Sequence, residues 1–135
     1  MTTGPKHKSS LPWTLATGWL PPIAWMSLIF FLSGQPDLPR PESGWLMLVV
    51  SSAAHFCVFG VLAILWARVL GHGRTAWLIA LVLTVLYGLS DEFHQAFVPG
   101  RTPDPWDVAF DAAGALLAVW MWRRLPVRTR LALSA

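Results

Sequence analysis

The chain has 135 residues, 55% of them hydrophobic and only 13% charged, with nine tryptophans, eleven prolines and a formal net charge of +3. A soluble domain carries charge on about a quarter of its residues, and a disordered chain needs low hydrophobicity with high net charge, so both classes are excluded. A disulfide scaffold is excluded too, because Cys57 has no partner in the sequence.

The apolar residues come in long runs that hide no polar face, so lipid is the expected solvent. A membrane-spanning helix needs about 20 mostly apolar residues, and four stretches qualify. The first covers residues 15–33, with Pro21 and Pro22 in its first two turns, where early helical N–H groups lack partners anyway. No small-residue cleavage site follows it, so it is expected to be an anchored helix, not a removed signal. The second lies within residues 45–70; its membrane part is expected to start near Ser51, leaving residues 44–50 as an interfacial turn. The third covers residues 75–97 and becomes polar after Tyr87. The fourth covers residues 106–122 and is closed by Arg123 and Arg124. The connections 34–44, 71–74 and 99–105 are short and rich in Pro and Gly, as breakers should be.

This pattern predicts an all-α membrane protein with four transmembrane helices. Its expected parts are a basic tail (1–14), a membrane domain (15–122) and a second basic tail (123–135). Lysine and arginine in short loops set orientation. Lys6, Lys8, Arg68, Arg74, Arg123, Arg124, Arg128 and Arg130 fall on one side, and Arg40 and Arg101 on the other, so both termini are expected to be cytoplasmic. All seven acids (Asp37, Glu42, Asp91, Glu92, Asp104, Asp107 and Asp111) fall on the external half, giving that side a balance of −5. The isoelectric point of about 9.8 therefore reports inside anchoring against anionic lipid, not nucleic-acid binding. Trp13, Trp19, Trp45, Trp106, Trp120 and Trp122 sit where interfacial belts would form. His7 and His72 read as solvated, and Cys57 as a small packed residue with no activating base nearby.

The chemistry concentrates in Ser90-Asp91-Glu92-Phe93-His94-Gln95, in Arg101, and in Asp107 and Asp111. Asp91, His94 and Gln95 share a helix face by their spacing, and Glu92 is expected to pair with Gln95 three residues on. Asp107 and Asp111 lie one turn apart, Asp107 in the first turn where the helix dipole favours an anion. A loop of about seven residues joins the two helices, which makes them antiparallel neighbours with both acidic faces at the external end. Arg101 lies in that loop, within reach of either set. His55, Ser33 and Gln35 bring the other two helices to the same end. Ionisable groups at membrane depth are expensive and mark functional sites by default.

The run Asp91-Glu92-Phe93-His94-Gln95, then Phe97-Val98-Pro99-Gly100-Arg101, Asp107 and Asp111-Ala112-Ala113-Gly114-Ala115, resembles the signature of VanZ-like membrane proteins. Phe31-Leu32-Ser33-Gly34-Gln35-Pro36 and His55-Phe56-Cys57-Val58-Phe59-Gly60-Val61-Leu62 fit the first two helices of that family. The resemblance covers residues 27–122. It departs from the family pattern in having no lysine shortly before His55, and aspartate at Asp111 where asparagine is common. The resemblance implies a small multi-pass protein of the bacterial inner membrane, related to one that raises resistance to the lipoglycopeptide teicoplanin.

Three readings of function follow. The first is an outer-leaflet binding site, made of His55, Glu92, Gln95, Arg101, Asp107 and Asp111, for a lipid-linked cell-envelope component or a lipidated glycopeptide. Arg101 would meet an anionic headgroup, although so many acids disfavour a bare phosphate unless a divalent cation bridges them. The second is a metal-dependent or acid–base hydrolase or transferase acting on such a lipid. Its catalytic candidates are Asp91, Glu92, His94 and Asp107; its metal candidates are Asp91, Glu92, His94, Asp107 and Asp111. No H-E-x-x-H, paired-cysteine or G-x-S-x-G motif singles out a catalytic set. The third is a salt-bridge network that only joins helices. An ion path is disfavoured because ionisable groups are missing from the inner half.

Overall fold

The computed structural model describes residues 11–36 and 43–134. Lys6, His7, Lys8, Asp37, Arg40 and Glu42 lie outside the described residues, as do the side chains of Trp13 and Arg128. The described chain is all-α: α1 (Leu11–Ser33), α2 (Gly44–Leu70), α3 (Arg74–Gln95), α4 (Pro105–Arg124) and α5 (Val127–Ser134). By length and composition, α2 and α3 are apolar enough to cross a membrane, and Gly18–Ser33 forms a shorter apolar helix. Helix α4 carries Asp107 and Asp111 in its first two turns and falls short of that apolarity.

Three boundaries differ from the sequence reading. Helix α1 begins at Leu11, with Pro12 suited to its first turn, so Pro21 and Pro22 fall in mid-helix. There they remove two backbone donors, and Pro22 is fully buried. Helix α2 is continuous from Gly44 and has no interfacial turn at residues 44–50, because nothing after Gly44 interrupts the apolar run Trp45-Leu46-Met47-Leu48-Val49-Val50. Its 27 residues reach about 40 Å. The segment after Arg124 is not a plain tail: Pro126 introduces α5, whose buried Arg130 lies over the Trp77 ring, as does Arg123 at 4.3 Å.

Helix α2 is central and packs against α1, α3 and α4, most closely against α4. The α2–α4 seam is made of small residues. A Cβ placed on Gly60 would meet the Gly114 carbonyl oxygen at 3.3 Å and the Ala118 Cβ at 3.5 Å. On Gly114 it would run into the Phe56 backbone itself. Ala63, Ala115 and Val119 continue the seam, all buried. Small residues are what let helix backbones approach closely in lipid, where no hydrophobic force drives them together. A second cluster, Phe59, Leu62, Trp66, Ala67, Ala80 and Trp122 with Ile29, joins the remaining helices. Toward its middle, helix α1 is pinned by long-range bonds: the Trp25 indole donates to the Val58 carbonyl at 3.0 Å, and the Tyr87 hydroxyl to the Met26 carbonyl at 2.6 Å.

Polarity is inverted relative to a water-soluble bundle. Asp91, Glu92, Gln95, Asp111 and Thr84 are buried, whereas Leu48, Val49, Leu78, Val82, Leu86, Phe93, Leu116 and Trp120 are exposed. Such an apolar exterior suits a lipid bilayer. Trp19, Trp45, Trp106 and Trp120 are exposed, but Trp122 is buried in the core cluster, so it is a packing residue and not part of a belt. Cys57 faces outward on α2 instead of being packed, and His72 is half-buried at the α2–α3 turn instead of solvated.

Gly114→Val is expected to destabilise the bundle by about 1–3 kcal/mol, as overpacked sites do. Gly18→Ala, with nothing within 4 Å of the added carbon, is expected to be neutral or stabilising by up to about 1 kcal/mol. Thermal unfolding of both variants in detergent, followed by helical circular dichroism, checks the pair; equal behaviour contradicts the close α2–α4 seam.

Candidate functional site

The end of α3 and the start of α4 define one end of the bundle. After Gln95 the chain tightens through Phe97 N–H to His94 O and Val98 N–H to Gln95 O, then turns at Pro99-Gly100. Gly100 has φ +76°, open to glycine, and Arg101 N–H closes the turn on the Val98 carbonyl at 3.1 Å. Asp104 caps α4: its carboxylate accepts from Trp106 N–H at 2.9 Å, and Pro105 follows as the first helical residue. The reversal sets Asp107 and Asp111 of α4 beside the acidic end of α3.

Two polar nests result. In the first, the Ser33 hydroxyl of α1 donates to Asp91 Oδ1 at 2.6 Å and the Gln95 amide to Asp91 Oδ2 at 2.9 Å. Gln95 thus serves Asp91, four residues before it, and not Glu92. This correction assigns Glu92 to the second nest. There His55 of α2 contacts Asp111 Oδ1 through Nδ1 at 3.0 Å, and its Nε2 stands 3.6 Å from Asp107 Oδ2. Because an ionised carboxylate only accepts, Nδ1 is the donor in the contact with Asp111, and Nε2 is the nitrogen turned toward Asp107. Glu92 Oε2 accepts the Asp104 backbone N–H at 2.8 Å. One ligand atom from each of His55, Glu92 and Asp107 lies within 4.8 Å of the others.

The second nest depends on Gly88 of α3. A Cβ there would meet Asp111 Oδ2 at 2.6 Å and the Phe59 ring at 3.4 Å, so only glycine leaves room for the fully buried Asp111 carboxylate. A glycine inside an apolar helix one turn before an acid is the sequence signal that marks this space. His94 joins neither nest. Its ring stacks on Phe30 with centroids 4.1 Å apart, beneath Gly34, and Nε2 has no hydrogen-bond partner among the described residues.

Two adjoining cavities open beside the nests. One, of about 260 Å³, lies between α1 and α2; Ile29, Leu32, Met47, Val50, Ala54 and Val58 form its apolar wall, and Ser33, His55, Asp91, Gln95 and Arg101 its polar floor. The other, about 330 Å³, is bounded by Leu48 and Ser51 of α2, the 100–104 loop and Asp107. Met47, Ser51, Gln95 and Arg101 border both. The unbroken start of α2 supplies the shared wall. Arg101 reaches across to α1, where Nη2 donates to the Leu32 carbonyl at 3.3 Å.

Of the residues singled out from sequence, His55, Glu92, Asp107 and Asp111 come together in one nest, Asp91 and Gln95 in the other, with Arg101 between them on the cavity rim. The backbone donor from Asp104 and the space at Gly88 belong to the same assembly but were not singled out.

The sequence model of the VanZ/LLP1 family matches residues 18–126. An uncharacterized protein of Schizosaccharomyces pombe is 33% identical over 91 residues, 66% of this chain and 52% of the yeast protein. The chain thus spans about half the length of that curated relative. No solved structure matches. The chain belongs to the VanZ/LLP1 family.

Proposed function

We propose that this VanZ/LLP1 family member is a four-span protein of the bacterial cytoplasmic membrane, both termini inside, that binds a lipid-linked envelope component at its outer end. The observation that carries the reading is the cavity between α1 and α2, whose apolar wall runs directly into a floor of Ser33, His55, Asp91, Gln95 and Arg101. An acyl or isoprenoid chain gains about 0.8 kcal/mol per buried CH₂ against such a wall, and a polar head finds charged and hydrogen-bonding groups at its end. Binding sites are commonly of this kind: mostly apolar, with a few placed polar groups. Arg101 supports an anionic headgroup.

A lipidated glycopeptide would be met at the same place through its acyl anchor, which links the reading to teicoplanin susceptibility. A second reading, a metal-dependent hydrolase or transferase acting on the bound lipid, is favoured by the proximity of His55, Glu92 and Asp107.

The topology is expected to expose cysteines placed at positions 37 and 101 to external thiol reagents and to protect those at 72 and 130. Labelling of 72 with protection of 37 and 101 contradicts it. In a glycopeptide-sensitive Gram-positive host, expression of the chain is expected to reduce teicoplanin susceptibility more than vancomycin susceptibility, and Glu92→Gln or Arg101→Ala to abolish the difference. Equal shifts for both drugs, or a shift surviving both substitutions, contradict a lipid-facing site built on these residues.

A further inference from the structure

The second nest has a feature that binding an apolar chain does not use. Glu92 is 7% exposed, and its Oε1 has no hydrogen-bond partner among the described residues, while Oε2 is held by the Asp104 N–H. Asp111 Oδ2 is likewise buried and without a partner. One imidazole, with the Arg101 guanidinium acting on Asp107, faces three carboxylates, Glu92, Asp107 and Asp111, so negative charge is in excess where burial makes it costly. Buried carboxylate oxygens without a donor call for an explanation, and a bound cation is one that also offsets the excess charge.

We propose that His55, Glu92 and Asp107 bind one divalent transition-metal ion, zinc or manganese, with Asp111 as the outer partner that orients the imidazole. The ion's place does not rest on the identity of the ligand in the groove. Three observations converge on it. First, the three candidate ligand atoms lie within 4.8 Å of one another, and His55 Nε2 and Asp107 Oδ2 are 3.6 Å apart. The edge of a tetrahedral zinc site with bonds of about 2.0–2.1 Å is about 3.3 Å, so small side-chain rotations close the set. Second, the His55 Nδ1 contact with Asp111 Oδ1 at 3.0 Å is the carboxylate–histidine arrangement that fixes tautomer and ring plane in metal sites. It leaves Nε2, on the Asp107 side, as the nitrogen that would take the ion in exchange for any proton it carries. Third, the site has an approach: His55 borders one cavity and Asp107 the other, so a fourth coordination position opens onto the space between α1, α2 and the 100–104 loop.

The donor set decides the metal class. An imidazole nitrogen with two carboxylates suits zinc or manganese better than calcium or magnesium, which prefer all-oxygen shells. A cation here also resolves the difficulty of an anionic headgroup beside so many acids. The open position would face the polar end of whatever occupies the groove.

The test uses the full-length chain in detergent, carried on a histidine-free tag with Cys57→Ser to remove the one thiol. The protein is stripped with chelator and equilibrated with zinc, manganese, magnesium or calcium singly. Elemental analysis and calorimetry then give stoichiometry and affinity. One zinc or manganese ion per chain is expected, retained in His94→Gln and lost in Glu92→Gln, Asp107→Asn and His55→Gln. Asp111→Asn is expected to weaken binding roughly 10–100-fold without changing stoichiometry. A metal-free wild-type chain overturns the proposal, as does an ion that survives both Glu92→Gln and Asp107→Asn. Where a ligand variant fails to fold, cobalt loading of the wild-type chain decides. Ligand-field bands of a four-coordinate nitrogen–oxygen site support the assignment; the spectrum of hexa-aqua cobalt overturns it. Phospholipid or isoprenoid-phosphate capture, measured separately on the same samples, keeps failure of the metal site distinct from failure of the lipid reading.

Discussion

The close approach of α2 and α4 is the constraint on which the rest of the molecule depends. Gly114 admits no side chain against the Phe56 backbone, and Gly60 very little against the Gly114 carbonyl. In lipid the apolar side chains gain nothing by leaving solvent, so contact between backbones has to supply the attraction. Phe56 adjoins His55 in sequence, and Gly114 follows Asp111 by three residues. The glycine contact therefore fixes the height at which the imidazole meets the carboxylates. Had bulkier residues parted the helices by an ångström or two, the 3.0 Å contact between Nδ1 and Asp111 would be lost. Packing and chemistry are set by the same few positions.

The two nests divide the polar work between them. Asp91 has a partner on each carboxylate oxygen, Ser33 from α1 and Gln95 from its own helix, and a satisfied buried group of this kind ties α1 to α3. Interhelical hydrogen bonds in membrane proteins contribute only about 0.6 kcal/mol on average, but nothing is left exposed to lipid. The nest around His55 is different in kind, with buried carboxylate oxygens on Glu92 and Asp111 that lack partners among the described residues. A network built only to join helices would satisfy its members, because a half-satisfied one is worse than an apolar core. The contrast within one bundle end, a few residues apart, between a satisfied carboxylate and unsatisfied ones is what the proposed ligand site rests on.

Much of this was legible in the residues. Long apolar runs, Pro–Gly breakers and the i, i+4 spacing of acids located the helices and gathered His55, Glu92, Asp107 and Asp111 at one end, because those signals are local. The family match over residues 18–126 accords with the motif reading. What the sequence hid is tertiary. The start of α2 reads as an interfacial turn, but an apolar stretch with no breaker stays helical and so walls both cavities. Gln95 lies within reach of both Asp91 and Glu92 by spacing alone; in the fold it bonds Asp91, while Glu92 turns to the Asp104 N–H twelve residues on. His94 reads as part of the reactive group, yet the aromatic face of Phe30 and the gap at Gly34 hold it apart. The helix in the C-terminal segment escapes because so short a helix owes its stability to packing, here Arg130 over Trp77.

The central claim is that the Glu92 carboxylate is kept for a ligand at a cost in stability. The thermal midpoint of metal-free Glu92→Gln in detergent, against metal-free wild type, tests it most directly. The amide oxygen can still accept the Asp104 N–H while one buried negative charge is removed, so a midpoint equal to or above wild type is predicted. A midpoint lower by more than about 5 °C, with helical signal lost, would contradict the claim and return Glu92 to a purely structural role.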